Sequence, residues 1–236
     1  MVATPPFEVP TARLAIDGPI GGFVAGTLVH TNKGLVPIQD IKLGDLVLSR
    51  PENGAANAYR RVVKTFKIES RPISYISCIR GQNSEIEFLD KYDGLDFDQL
   101  VAKSKELETV IGVTGNHLFW VEGTGWKAAE LLTKDNPTLL CNGDAAYFNT
   151  SIQIKKAIQQ NADIGWAVFG YDGRDLVFGE AGMRVSSGNT WETGDISDSD
   201  DFLAEVYNLE VEDFQSFFIG QSGIWVQSSN CGVRTV

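Results

Sequence analysis

From residue 23 onward the chain advances in short apolar runs broken every few residues by turn formers. Phe23-Val24, Leu28-Val29, Leu35-Val36, Ile38, Ile41 and Leu46-Val47-Leu48 are separated by Asn32-Lys33-Gly34 and Leu43-Gly44-Asp45. Runs this brief suit short strands joined by tight turns, so the chain reads as an all-β domain. The rhythm returns at 109–113, at 118–121, and at 206–211, which alternates as a strand should. Phe217-Phe218-Ile219 and Ile224-Trp225-Val226 then form a hairpin around Ser222-Gly223.

With 236 residues, 43% of them hydrophobic, the chain can bury a sizeable core as one large domain or two small ones. A formal charge of −11 with no stripe of Lys and Arg disfavours nucleic-acid binding, because phosphate neutralisation supplies most of that affinity. It reads as a solvated acidic surface. Cys78, Cys141 and Cys231 are odd in number and widely spaced, and the chain has 2 His, so neither a disulfide framework nor a metal site is expected. No apolar run reaches the ~18 residues of a membrane-spanning helix, so no membrane partner is expected. The first residues lack the basic and apolar regions of a signal peptide, and the compartment is left open.

In chain order, residues 1–21 carry prolines and read as a flank. Residues 61–68 and 74–79 read as a pair of strands. Residues 81–109 break the rhythm, with helical spacing at 97–104, and look like an elaboration on a strand connection. Residues 126–132 read as a short helical turn, and 139–144 as a strand ending in a hairpin turn. Residues 150–200 match no motif; 151–162 could form a helix, and the acidic run 191–201 reads as an exposed loop whose spacing does not suit calcium. Cys78 and Cys141 lie in apolar runs and read as inert buried thiols.

Four segments carry a more specific signal: 21–31 (Gly-Gly-Phe-Val-Ala-Gly-Thr-Leu-Val-His-Thr), 37–48, 114–131 (opening Thr-Gly-Asn-His-Leu-Phe-Trp-Val) and 213–228. In this order they resemble the Hint fold of inteins and hedgehog autoprocessing domains, above all the Hint domains that precede toxin tips in bacterial polymorphic toxins. The resemblance implies a horseshoe of pseudo-duplicated β units over 22–228, with irregular insertions near 81–109 and 150–200 and with 1–21 and 229–236 as flanks. It also implies self-cleavage or splicing within a larger precursor, the domain's own flanking segments being the substrate and no cofactor being needed.

In such domains a cysteine at the first position attacks the carbonyl before it. Here that position is Gly22, and the junction is Gly21–Gly22. By the resemblance Thr114 and His117 flank this bond, His117 as general acid to the departing nitrogen, while His30 is structural. At the far end Gln215 and Gln227 stand where the family has histidines, and Ser228 where it has the cyclising asparagine. Glutamine cannot carry a proton near neutral pH, and serine has no amide with which to cyclise. A shifted register makes Asn230 the terminal asparagine and Cys231 a downstream nucleophile acting directly on Gly21. The resemblance therefore implies an autoprocessing domain impaired or trapped at Gly22, in which Gly22→Cys would restore a thioester. The other reading is a catalytically dead scaffold that serves as a structural or docking module.

Overall fold

The computed structural model describes residues 21–81, 94, 96, 99, 107–134, 136–157, 164–169, 172–180, 182–185 and 200–229. These form strands joined by turns, with only short helical turns between them. In order the strands are β1 Phe23–Val24, β2 Leu28–Thr31, β3 Gly34–Pro37, β4 Leu46–Ser49, β5 Ala58–Pro72 and β6 Ser74–Arg80. They continue as β7 Glu108–Val113, β8 Leu118–Val121, β9 Gly125–Ala128, β10 Pro137–Leu139, β11 Ala145–Gln153 and β12 Lys155–Lys156. The last six are β13 Ile164–Phe169, β14 Asp172–Val177, β15 Arg184–Val185, β16 Leu203–Val211, β17 Ser216–Ile219 and β18 Ile224–Gln227. The large sheet runs β10-β11-β6-β7-β1-β16-β5-β4-β2-β17-β18-β8-β9, with β3 on β2; a smaller sheet runs β12-β13-β14-β15.

The fold repeats itself. The β2–β3 hairpin leads straight into a 3-10 turn at Ile38–Asp40, and the β8–β9 hairpin into one at Ala129–Leu131. The amide of Ile38 donates to the Thr27 carbonyl and that of Ala129 to the His117 carbonyl, each at 2.8 Å. Even the turns that open the two units match: Thr27 N donates to Val24 O at 3.3 Å, and His117 N to Thr114 O at 3.1 Å. β17 and β18 lie between the two units, β17 against β2 and β18 against β8. This is the pseudo-duplicated all-β architecture.

One large apolar cluster fills the body, including Phe23, Phe119, Phe148, Phe217, Leu209 and Ile224. Fully burying side chains of this size contributes about 1.5–3 kcal/mol each. A second cluster joins Val24 of β1 and Val206 of β16 to Ile154, Leu176 and Phe202. It fastens part of the 150–200 segment to the strands at the chain's entry.

Several local expectations are corrected. The strands at 61–68 and 74–79 do not pair with each other: β5 lies between β16 and β4, and β6 between β11 and β7. Only Ile73 separates β5 from β6, too little chain for a tight hairpin. Its amide donates to Phe202 O at 3.2 Å and its carbonyl accepts from Ile154 N at 2.8 Å, so the chain runs on into a new set of neighbours. The helix expected at 151–162 is not formed over the described residues 151–157. Residues 151–153 complete β11, paired with Ile76, Tyr75 and Ser74 of β6, and 155–156 form β12. Pairing along an existing sheet edge overrides local propensity here. The helical turn expected at 126–132 is split between β9 and the 3-10 turn Ala129–Leu131. The helical spacing at 97–104 falls outside the described residues except for Gln99. Of the acidic run, Asp200 and Asp201 are described, ion-paired with Lys156 at 3.2 Å and Lys155 at 2.7 Å; 191–199 lie outside. No helix among the described residues is long and apolar enough to cross a membrane.

Candidate functional site

Gly21 and Gly22 lead into β1, a two-residue strand held between β7 and β16 in the middle of the large sheet, with Phe23 opposite both Val113 and Tyr207. Sheet partners on both sides fix the backbone of this entry, which is what a site acting on a peptide bond requires. The Gly22 amide donates to Thr114 Oγ1 at 3.0 Å. The Gly22 carbonyl accepts from Thr114 N at 3.0 Å. The Gly21 carbonyl accepts from Asn208 Nδ2 at 2.7 Å. Both polar atoms of the Gly21–Gly22 peptide group are therefore held by buried side chains.

Thr114 and His117 are brought to this peptide by the turn that ends β7. The Gly115 carbonyl accepts from Glu130 N at 2.9 Å, which with the Ala129–His117 bond ties the turn to the 3-10 segment behind it. His117 is 4% exposed, its ring set edge-on to Phe23 at 4.2 Å. Burial among apolar rings lowers its pKa to about 3, opposed by hydrogen bonding to the backbone of Gly21 and Gln227. The imidazole is therefore neutral at physiological pH, and among the described residues Nε2 is buried without a well-formed hydrogen bond. As a general acid it would have to receive its proton during the reaction rather than carry it beforehand.

The far end of the chain arrives at the same place. Gln227 closes β18 opposite Ser216. Ser228 N donates to Gln215 O at 2.9 Å, and Ser229 N to Leu209 O at 2.8 Å. Ser228 Oγ accepts from Val211 N at 3.4 Å. Ser229 is buried, and its Oγ lacks a hydrogen-bond partner among the described residues. Residues 227–229 thus run beside Leu209, next to the asparagine that holds Gly21. Gln215 adopts a left-handed conformation, φ 51°, in the turn before β17. Asn230 and Cys231 lie outside the described residues.

Asn208 is the site residue that reading the sequence missed. It sits in the middle of β16, 2% exposed, and its Oδ1 accepts from the Leu209 amide at 2.7 Å. A signal was present: asparagine is depleted in strand interiors, and here it stands between Tyr207 and Leu209.

The packing around the two glycines is close. A Cβ on Gly22 would lie 2.8 Å from Tyr207 O and 3.0 Å from Val206 Cγ2. One on Gly21 would lie 2.9 Å from Thr114 Oγ1 and 3.1 Å from both Asn116 Oδ1 and His117 Cα. The thioester expected of Gly22→Cys therefore meets a wall that includes a backbone carbonyl.

His30 is in β2, away from this site; its Nε2 donates to Gly220 O at 2.8 Å. Cys78 is buried, as its apolar run suggests, but Cys141 is only half-buried, with Sγ 3.8 Å from His30 Nδ1. Among the described residues no cluster of His, Cys, Asp or Glu could hold a metal ion.

No protein-family model matches the chain, and no curated protein sequence matches it. Solved structures do. A bacterial intein-like domain from Clostridium thermocellum aligns with a TM-score of 0.53 at 18% identity, over 89% of this chain and 100% of that one. An Ssp DnaB mini-intein variant aligns with a TM-score of 0.52 at 13% identity, over 91% of this chain and 99% of that one. The fold is that of the intein-like Hint domains.

Proposed function

We propose, from this intein-like fold, that the chain is an autoprocessing domain whose substrate is its own Gly21–Gly22 peptide and whose first step is arrested because residue 22 brings no nucleophile. Residues 22–228 are the domain, 1–21 and 229–236 its flanks, and the whole belongs to a larger precursor of the toxin-associated kind that the sequence motifs resemble. One observation carries the reading: the Gly21 carbonyl and the Gly22 amide are gripped by Asn208 and Thr114 beside a neutral, buried histidine. This is the provision needed for attack on a peptide carbonyl. Asn208 Nδ2 stabilises the oxyanion as the carbonyl becomes tetrahedral. His117 takes the proton of the attacking group and passes it to the Gly22 nitrogen as the C–N bond breaks. Thr114 holds that nitrogen in place. The nucleophile is the missing part.

A small nucleophile supplied from solution should fill the gap. Incubated with hydroxylamine, the intact chain is expected to break after Gly21, leaving residues 1–21 as a hydroxamate identifiable by mass. Breaks at Asn53-Gly54 and Asn142-Gly143, the ordinary hydroxylamine-sensitive bonds, are told apart by their fragment masses. A break after Gly21 that disappears in Asn208→Ala and Thr114→Val supports the reading. A chain that stays whole at Gly21–Gly22 is a scaffold without chemistry. A spontaneous break after Asn230 would instead make Cys231 the working nucleophile.

A further inference from the structure

We infer that the site is specific for a diglycine: it recognises the Gly21–Gly22 peptide through backbone atoms alone and excludes a side chain on either side of the scissile bond. The inference rests on reading that bond as the one processed, and it names the substrate class the site accepts.

Glycine is required here for space rather than for conformation. Neither Gly21 nor Gly22 has the left-handed φ that side chains avoid, unlike Gly26, Gly34 or Gly223. What excludes a Cβ is the wall. At residue 22 the nearest atom is the Tyr207 carbonyl oxygen at 2.8 Å, closer than real Cβ contacts come. That carbonyl cannot easily retreat, because Tyr207 is paired with Phe23 on one side and with Lys67 of β5 on the other. At residue 21 the wall is Thr114 Oγ1 at 2.9 Å, the same oxygen that accepts the Gly22 amide. Moving it aside would release the bond that positions the peptide, so selectivity and positioning are one device. Every hydrogen bond described to this peptide uses a main-chain N–H or C=O of the diglycine. Recognition of this kind tolerates no residue but glycine at either position. It also explains why the nucleophile cannot come from the side chain of residue 22: the slot that would hold it is filled by β16.

The test uses the full chain with Gly21→Ala, Gly22→Ala and Gly22→Cys, and Gly179→Ala as control, since a Cβ at Gly179 meets nothing within 4 Å among the described residues. Amide exchange at residue 22 and at Thr114 reports whether the peptide stays docked, independently of any cleavage. In both alanine variants these two amides are expected to exchange about tenfold faster or more, equivalent to about 1.4 kcal/mol, while Ile76 in β6 and the Gly179→Ala chain keep parental protection. The hydroxylamine break should fall in parallel. If Gly22→Ala does not fold, Gly21→Ala carries the same measurement. Parental protection at both amides in the alanine variants overturns the inference, and so does a thiol-dependent break after Gly21 in a normally folded Gly22→Cys chain. Failure of hydroxylamine to cut the parent chain counts against processing alone, and the exchange result still decides selectivity.

Discussion

Asn208 Nδ2 donates to the Gly21 carbonyl oxygen at 2.7 Å, although the two residues are 187 positions apart in the chain. The bond ties the middle of β16 to the entry of the domain and aims a fixed donor at the oxygen that would become an oxyanion. Asn208→Asp keeps an acceptor for the Leu209 amide but loses the donor to Gly21 at neutral pH. It is expected to slow hydroxylamine cleavage after Gly21 by roughly 10²–10³-fold, the usual worth of such a donor. Fragment mass against time measures it, and an unchanged rate removes Asn208 from the chemistry.

Stability should fall in acid through His117. Burial holds its folded pKa near 3, against 6.5 for the free side chain. Between about pH 6.5 and 3 the unfolded chain therefore binds a proton that the folded chain does not, and stability drops as pH falls across that window. His30, also lowered by burial, acts in the same direction. The drop in Tm from pH 7 to pH 4.5 is expected to be clearly smaller in His117→Gln than in the parent, each compared with itself. Equal drops would mean that the ring is not buried in its neutral form.

The two described thiols should differ in reactivity. Cys78 is buried in β6, and burial pushes its thiol far above the usual range. Cys141 is half-buried, raised less, and faces His30 Nδ1; because His30 Nε2 donates to Gly220 O, the nitrogen facing the thiol is the proton acceptor. In a Cys231→Ser chain, iodoacetamide is expected to label Cys141 under native conditions and Cys78 only on unfolding, with His30→Gln slowing the Cys141 reaction. Peptide mass mapping reads the order.

The small sheet should be part of the body's stability. Leu176 of β14 is fully buried in the cluster that also holds Val24 and Val206. Leu176→Ala is expected to cost about 2–5 kcal/mol, the range for emptying a packed leucine site. Denaturant unfolding followed by tryptophan fluorescence measures it. A loss below about 0.5 kcal/mol, the range of surface substitutions, would mean that the cluster is not packed.

The sequence by itself determined what local pattern can encode. Short apolar runs and glycine turns fixed a chain of strands. The Thr114–His117 turn and the Gly21–Gly22 entry were visible as motifs because each depends on neighbouring residues. Tertiary structure decided the rest. A run such as 61–68 shows that it is a strand but not which strand it meets, because backbone hydrogen bonding is the same for every partner; the packed fold sets β5 between β16 and β4 and not against β6. Asn208 entered the site for the same reason, through the register that sets Tyr207 against Phe23. Whether residue 22 has room for a side chain was decided last, by a carbonyl on a strand 185 residues further along. Steric exclusion at that range belongs to the packed fold and has no local signature in the sequence.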